Sequence, residues 1–295
     1  MSGTSSPTVS LVICTYNWKE ALALVLRSVA AQSRLPDEVI VADDGSRDDT
    51  ARMLAELAQD FPVPLRHVWQ ADEGFRRARA LNRAFAAARG DYVIQLDGDM
   101  LLHPEFIADH LTLARPGRFL QGTRIRTTAA EAKRLLAGGA PRFGWFVDAY
   151  YRDDNDRGTY HYGRRHHSVR ALWLARLKAR ASGHPMGCNV SFWRDDLVRV
   201  NGYDERMVGY GSEDLELDAR LRHAGLRRSQ IKFAALTLHL EHGSSGLVDP
   251  ADPELPNNKL LAQTRRDGRT RAELGLSQHA DEFAQPPADL RTQAG

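Results

Sequence analysis

The chain has 295 residues, 42% hydrophobic and 26% charged, enough for a substantial globular core, and its 13 prolines and 23 glycines follow no collagen or solenoid period. No apolar run approaches the roughly 18–20 residues of a membrane span and the polar start, Met1 to Pro7, lacks an apolar signal core, so a cytoplasmic location is expected; Cys14 and Cys188 alone exclude a disulfide framework or a four-cysteine zinc site. The net charge of +2 hides an asymmetry: Arg115 to Ser182 holds 15 Lys and Arg against 5 Asp and Glu, ten net positive charges, which leaves the remainder eight net negative. That pattern points to a locally anionic partner (a phosphate, a lipid surface or an acidic glycan) and away from a protein that coats nucleic acid.

Val9 to Cys14 is a short β-branched apolar run broken by Thr15, Tyr16 and Asn17, which predicts a buried strand opening into a loop. Leu22, Val25, Leu26 and Val29 recur at helical steps before the turn at Pro36 and Asp37. Val39 to Ala42 predicts a second strand that ends in Asp43, Asp44, Gly45 and Ser46, with Asp48 to Thr50 capping a helix through Ala58. Leu65 to Trp69 is a third strand, Arg76 to Ala88 a third helix, and Tyr92 to Leu96 a fourth strand running into Asp97, Gly98 and Asp99. Strand and helix alternating in short units imply an α/β fold with a mostly parallel sheet flanked by helices, in which ligands bind beyond the carboxyl ends of the strands.

Both acidic clusters, Asp43/Asp44 and Asp97/Asp99, sit at predicted strand ends. Asp-Gly is also ordinary turn chemistry, so neither cluster alone is specific. Their joint placement is more telling, and Asp97 and Asp99, separated by Gly98, make a compact oxygen site that suits a divalent cation, Mn²⁺ or Mg²⁺, bridging to substrate phosphates, and hence a nucleoside diphosphate. Asp44 is placed to accept from a base or ribose, and Arg76 or Arg77 to meet the phosphates. No Gly-rich dinucleotide fingerprint and no P-loop is present, and an aspartyl-phosphatase loop belongs after the first strand rather than the fourth.

The stretches VSLVICTYN, VIVADDGSRDDT and QLDGDM resemble, in order and spacing, the donor half of the inverting glycosyltransferases of family 2, which have the GT-A fold. GCNVSFWR, NGYDERMVGYGSEDLELDARLRHAG and HLEH resemble the galactosyltransferase-type C-terminal region of bacterial polysaccharide, lipopolysaccharide and chondroitin-polymerase-like transferases. The resemblance implies a single large domain: residues 1–100 bind the nucleotide sugar, residues 101–248 form the acceptor and catalytic half with the basic insertion 115–182, and residues 249–295 are a C-terminal extension. It implies that Thr15, Tyr16 and Asp44 hold uridine, Arg76 faces the diphosphate, Asp97 and Asp99 hold nucleotide and metal, and Asp99 is the direct ligand. It implies Asp214 as general base and Glu213 as a binder of sugar hydroxyls, with Tyr210, Asn189 and Trp193 on the sugar or acceptor side and His239 and His242 as further metal ligands. Where the family has Gly-Trp-Gly before the acidic pair, this chain has Gly209, Tyr210 and Gly211, which alters the aromatic wall.

The chemistry asks for the same parts independently. An acceptor hydroxyl needs a carboxylate base, and the departing diphosphate needs compensating positive charge. Glu213 and Asp214 also suit a helix N-terminus, and His239 and His242 suit ordinary strand ends. Buried packing competes with sugar stacking for Trp193 and Trp145. The expected activity is transfer from a UDP-sugar to a glycan or lipid-linked glycan in cell-surface polysaccharide or lipopolysaccharide synthesis; the alternative is a non-catalytic nucleotide- or glycan-binding module. Asp153 to Gly158 fails as a calcium loop because Arg157 takes a ligand position, and His161, His166 and His167 lie among arginines that oppose zinc. Val169 to Arg180 predicts a helix whose Val169, Leu172, Trp173 and Leu177 share a face beside Arg170, Arg176, Lys178 and Arg180. It either packs on its own domain or touches an anionic membrane at the inner face of the plasma membrane.

Overall fold

Strands β1 (Val9–Thr15), β2 (Glu38–Asp43), β3 (Leu65–Trp69) and β4 (Tyr92–Asp97) alternate with helices α1 (Lys19–Ala30), α2 (Asp48–Ala58) and α3 (Arg77–Ala87). The structure, a computed structural model, describes residues 6–144, 169–178, 185–243 and 252–292. The four strands pair in parallel in the order β3-β2-β1-β4. β1 and β2 are buried along their whole length, which is why their apolar runs are continuous rather than alternating. Leu11 and Ile13 join one apolar cluster and Val12 and Cys14 the other, one on each face of the sheet. Helix α1 buries Ala21, Leu22, Val25, Leu26 and Val29, the positions its periodicity selects. The start of α2 departs from expectation: Arg47 is the N-cap with no side-chain cap bond, and Asp48 and Asp49 lie inside the first turn, where they meet the positive end of the helix dipole.

The chain continues through β5 (Met100–Leu102), α4 (Phe106–Leu113), β6 (Arg118–Gln121), β7 (Ile125–Arg126), α5 (Ala129–Leu136), α6 (Leu172–Lys178), β8 (Asn189–Trp193) and α7 (Arg194–Val200). Then come α8 (Glu213–His223), β9 (Arg227–Gln230), β10 (Thr237–His239) and α9 (Pro256–Asp267). β8 inserts antiparallel between β4 and β6, and β9 runs parallel to β6, completing a seven-stranded sheet of order β3-β2-β1-β4-β8-β6-β9 in which only β8 is reversed. The sheet therefore runs unbroken past residue 100, making one α/β domain. A second sheet, β5-β10-β7, folds the segment after β4 against the segment after β9. Residues beyond 252 wrap back over the domain: α9 packs on α8, Leu276–His279 on α3, and Asp289 Oδ1 accepts from Leu65 N–H at 3.4 Å.

Candidate active site

Parallel register sets Cys14 opposite Asp97 and Thr15 opposite Asp43, so the loops after β1, β2 and β4 leave from one rim. They enclose a cleft of about 420 Å³ lined by Thr15, Tyr16, Trp18, Asp44, Phe75, Arg77, Asp97, Asp99 and His242. Asp43 does not face it. Fully buried, Asp43 accepts from Ser46 N–H at 2.8 Å and lies 2.8 Å from His67 Nε2, which holds the turn. Asp44 accepts from Gln70 Nε2 at 2.7 Å and from Arg76 N–H at 2.9 Å, and burial raises its carboxyl above the usual range. Each of its oxygens keeps a lone pair for a ligand donor. Tyr16 is half exposed and donates to Asp72 at 3.0 Å.

The expectation for Arg76 needs correction. Arg76 is the N-cap of α3, and among the described residues its guanidinium bonds only to Glu73 O, at 3.4 Å. One residue further round the helix, Arg77 enters the cleft. Its guanidinium lies 2.7 Å from Asp97 Oδ1, 3.4 Å from Asp214 Oδ1 and 3.7 Å from Glu213 Oε1. Burial works against its charge, yet the carboxylates of Asp97 and Asp214 hold it well above the ordinary range.

Asp97 and Asp99 part company. While Asp97 pairs with Arg77, Asp99 Oδ2 lies 3.2 Å from His239 Nε2 and 3.3 Å from His242 Nε2. Pairing of β10 with β5 produces this meeting, because His239 registers with Met100 and Leu240 N–H donates to Asp99 O at 3.0 Å. Burial opposes ionisation of Asp99, but hydrogen bonds from both imidazoles hold its carboxyl well below the usual range. The bond to Asp99 in turn raises His242.

The ligand atoms of Asp99, His239 and His242 lie within 4.8 Å of one another, and among the described residues buried Asp99 Oδ1 has no hydrogen-bond partner. His242 Nδ1 lies 3.0 Å from Gly243 O, a bond that would keep the proton on Nδ1 and leave Nε2 to a metal once an ion replaced its hydrogen bond to Asp99. One carboxylate with two imidazoles fits a divalent transition ion and suits Mg²⁺ less well.

On the opposite wall, Glu213 and Asp214 occupy the first turn of α8. Asp214 Oδ2 accepts from Gly187 N–H at 2.7 Å and Oδ1 from Tyr203 Oη at 3.0 Å. A Cβ at position 187 would lie 2.1 Å from Asp214 Oδ1, so the close approach requires glycine. Burial and the adjacent Asp214 charge push the Glu213 carboxyl up to about 7, and its buried Oε2 has no partner among the described residues. Tyr210 is exposed and meets Phe75 edge to face at 6.2 Å, an aromatic pair at the mouth of the cleft. Trp18 and Phe75 are thus cleft residues beyond those expected, and neither carried a signal in the sequence; Arg77, expected there as the alternative to Arg76, is the one of the two basic residues opening the helix that enters the cleft.

Two expected sugar contacts are corrected. Asn189 is fully buried: Nδ2 donates to Thr123 O and Ala235 O, both at 3.1 Å, and Oδ1 lies 3.0 Å from His110 Nε2. His110 itself is driven down to about 4 by burial. Trp193 stands at the wrong end of the sheet. β8 is antiparallel, so Trp193 registers with Tyr92, at the opposite end of β4 from Asp97, and its indole donates to Arg115 O.

The basic segment is also rearranged. Arg170 forms a bidentate pair with buried Asp109, its shortest contact 2.7 Å. Helix α6 buries Ala175 and packs Leu172 on the core but leaves Trp173 66% and Leu177 73% exposed, so the expected single apolar face is split. Trp145, Asp153 to Gly158, His161, His166, His167 and Arg180 lie outside the described residues.

Residues 10–184 match glycosyl transferase family 2, and residues 169–243 match the N-terminal domain of galactosyltransferase. The chain is 29% identical over 252 residues to validoxylamine A glucosyltransferase of Streptomyces hygroscopicus subsp. limoneus, covering 77% of this chain and 51% of that protein. It is 26% identical over 284 residues to Escherichia coli chondroitin synthase, covering 86% and 38%. The chain thus spans about half of the length of the first of these relatives and less of the second. S. aureus TarS 1–349, solved in complex with UDP-GlcNAc, superposes with a TM-score of 0.58 at 17% identity over 94% of this chain and 71% of that one, which shows a shared GT-A fold. A family match over more than half of the chain, on the same strand ends that gather the carboxylates, means that this protein belongs to glycosyl transferase family 2.

Proposed function

We propose that this chain is a metal-dependent inverting glycosyltransferase that moves a sugar from a UDP-sugar to a hydroxyl of a glycan, in the synthesis of a bacterial surface polysaccharide or lipopolysaccharide. The observation that carries the reading is the pairing of two walls across one guanidinium: Asp97 on the donor side, Asp214 and Glu213 on the other, with Arg77 between them. Thr15, Tyr16 and Asp44 receive the uridine, with Asp44 accepting from the base or ribose. Asp99, His239 and His242 would hold Mn²⁺, and what the ion supplies there is positive charge opposite the diphosphate. Arg77 adds a fixed positive charge beside the same group. Asp214, with its side chain 25% exposed against 9% for Glu213, is the carboxylate open to an acceptor. It takes the hydroxyl proton as the acceptor oxygen bonds to the anomeric carbon and the bond to the diphosphate breaks, the electron pair leaving with UDP. Glu213 binds sugar hydroxyls and Tyr210 walls the sugar. A nucleotide-binding module would use the Asp99 cluster but would not need a base at Asp214, so their joint presence favours turnover.

Asp214→Asn tests this reading. Transfer and donor hydrolysis should fall roughly 10²- to 10⁴-fold with UDP-sugar affinity near the unaltered value, and transfer above about a tenth of the starting rate would move the base elsewhere. The likeness of this chain to TarS, solved with UDP-GlcNAc, supports screening UDP-sugars first, by thermal shift with Mn²⁺.

The exposed Trp173 and Leu177, with Arg176 exposed between them, fit a further part of the proposal: α6 meets an anionic acceptor or the lipid surface that carries it. Arg170 is excluded from this role by its pair with Asp109. No helix among the described residues is long and apolar enough to cross a membrane; the contact proposed for α6 is one at the surface, made by its exposed side chains. Replacing Trp173 and Leu177 by Ser and Arg176 by Gln should abolish salt-sensitive binding to vesicles containing phosphatidylglycerol, or raise the acceptor KM, without changing UDP affinity. Absent vesicle binding together with unchanged acceptor kinetics would refute it.

A further inference from the structure

Helix α9 lies beyond both family matches, yet it reaches the acceptor wall. The loop before α8 has no regular structure to satisfy its backbone. Gly209, Gly211 and Ser212 all have positive φ, at 82°, 106° and 67°. Gly209 N–H is spent on Phe75 O at 3.0 Å. The two carbonyls that flank Tyr210 depend on a side chain from α9: Asn257 Nδ2 donates to Gly211 O at 2.9 Å and to Gly209 O at 3.4 Å. Asn257 is buried, and its Oδ1 has no partner among the described residues, so its amide hydrogens are the part that the fold uses. The helix that presents it is itself tied to α8. Thr264 Oγ1 donates to Glu216 Oε1 at 3.0 Å, Ser212 Oγ pairs with Asn258 Oδ1, and Leu261 packs with Met207 and Ala219.

We propose that Asn257 is a positioning residue for the sugar and acceptor side: by clamping both carbonyls around Tyr210 it sets the aromatic wall and the entry to α8, on which Glu213 and Asp214 stand. This rests on reading that wall as the acceptor side. A carboxylate at the same position would present no hydrogen to the carbonyls, and alanine would leave them without a donor.

The test uses the full chain, with Asn257→Asp and Asn257→Ala beside Lys259→Ala, a change at an exposed residue of the same helix. Three quantities are read: amide exchange over residues 207–212, UDP affinity with Mn²⁺ by calorimetry, and hydrolysis of whichever UDP-sugar the unaltered protein hydrolyses fastest. Both Asn257 variants should exchange the loop amides about tenfold faster and lose about tenfold in kcat, the worth of one or two hydrogen bonds, with donor KM and UDP affinity held within about twofold. Lys259→Ala should change none of these. Unchanged loop exchange, or faster exchange with unchanged kcat, overturns the proposal. So does a parallel loss of UDP affinity, kcat and melting temperature, which would mark a general structural role. If Asn257→Asp does not fold, Asn257→Ala decides. An unaltered protein that hydrolyses no UDP-sugar would count against the proposed function, while loop exchange would still decide whether Asn257 holds the loop.

Discussion

Glu213→Gln should gain stability relative to the unaltered protein as pH rises from acid to alkaline, while damaging its site. The Glu213 carboxyl, ordinarily titrating at 4.5, is pushed up to about 7 by burial and by the charge of Asp214. At about 1.36 kcal/mol per pH unit, that is roughly 3 kcal/mol in favour of the neutral form. With 9% of the side chain exposed, solvent screening discounts little of it. Below pH 4.5 the group is protonated in both the folded and the unfolded chain, and its contribution is complete. As pH rises, the unfolded chain ionises first, so stability is lost progressively up to and through pH 7. Glutamine cannot titrate. The stability difference between Glu213→Gln and the unaltered protein should therefore shift by about 3 kcal/mol in the variant's favour between pH 4.5 and 8, whatever constant offset the new amide brings. Urea unfolding at pH 4.5, 6 and 8 without metal measures it. A difference that stays constant within about 1 kcal/mol across that range would refute the account of the buried acid. Slower transfer by the variant is the expected companion, since active-site groups are often held at a cost to stability.

Alanine at both His239 and His242 removes two of the three clustered ligand side chains, so the Mn²⁺ needed for half-maximal UDP binding should rise roughly tenfold or more. A titration matching the unaltered protein, or undiminished metal-dependent UDP affinity in Asp99→Ala, would remove the site from consideration. Arg77→Met leaves Asp97, Glu213 and Asp214 facing one another without their shared cation and should destabilise by about 3–5 kcal/mol in urea unfolding. Arg77→Lys keeps the charge but cannot span three carboxylates and should fall between, whereas a loss under about 1 kcal/mol for Arg77→Met would mean the guanidinium is not what holds the two walls.

The strands and helices of the first hundred residues were legible because apolar spacing is a local property: the short length and β-branched content of Val9 to Cys14 mark a buried strand, and the three- and four-residue steps of Leu22, Val25, Leu26 and Val29 mark one face of a helix. Parallel pairing of such strands is enough to bring Asp44 and Asp97 to one rim. The resemblance added Asp214, His239 and His242, which no local pattern distinguishes from a helix start and a strand end. Direction around an element was not legible. Arg76 and Arg77 are equally basic and adjacent, and about 100° of helical rotation sends one to a loop carbonyl and the other between three carboxylates. Asn189 and Trp193 read as sugar contacts until the reversal of β8 put one in the core and the other at the far end of the sheet. The pairing of β10 with β5 and the reach of Asn257 from the C-terminal extension to the Gly209–Gly211 loop join residues far apart in the chain. Composition and periodicity specify what each segment buries, but a contact between distant segments depends on strand order and direction, which are settled only when all the buried faces are packed together.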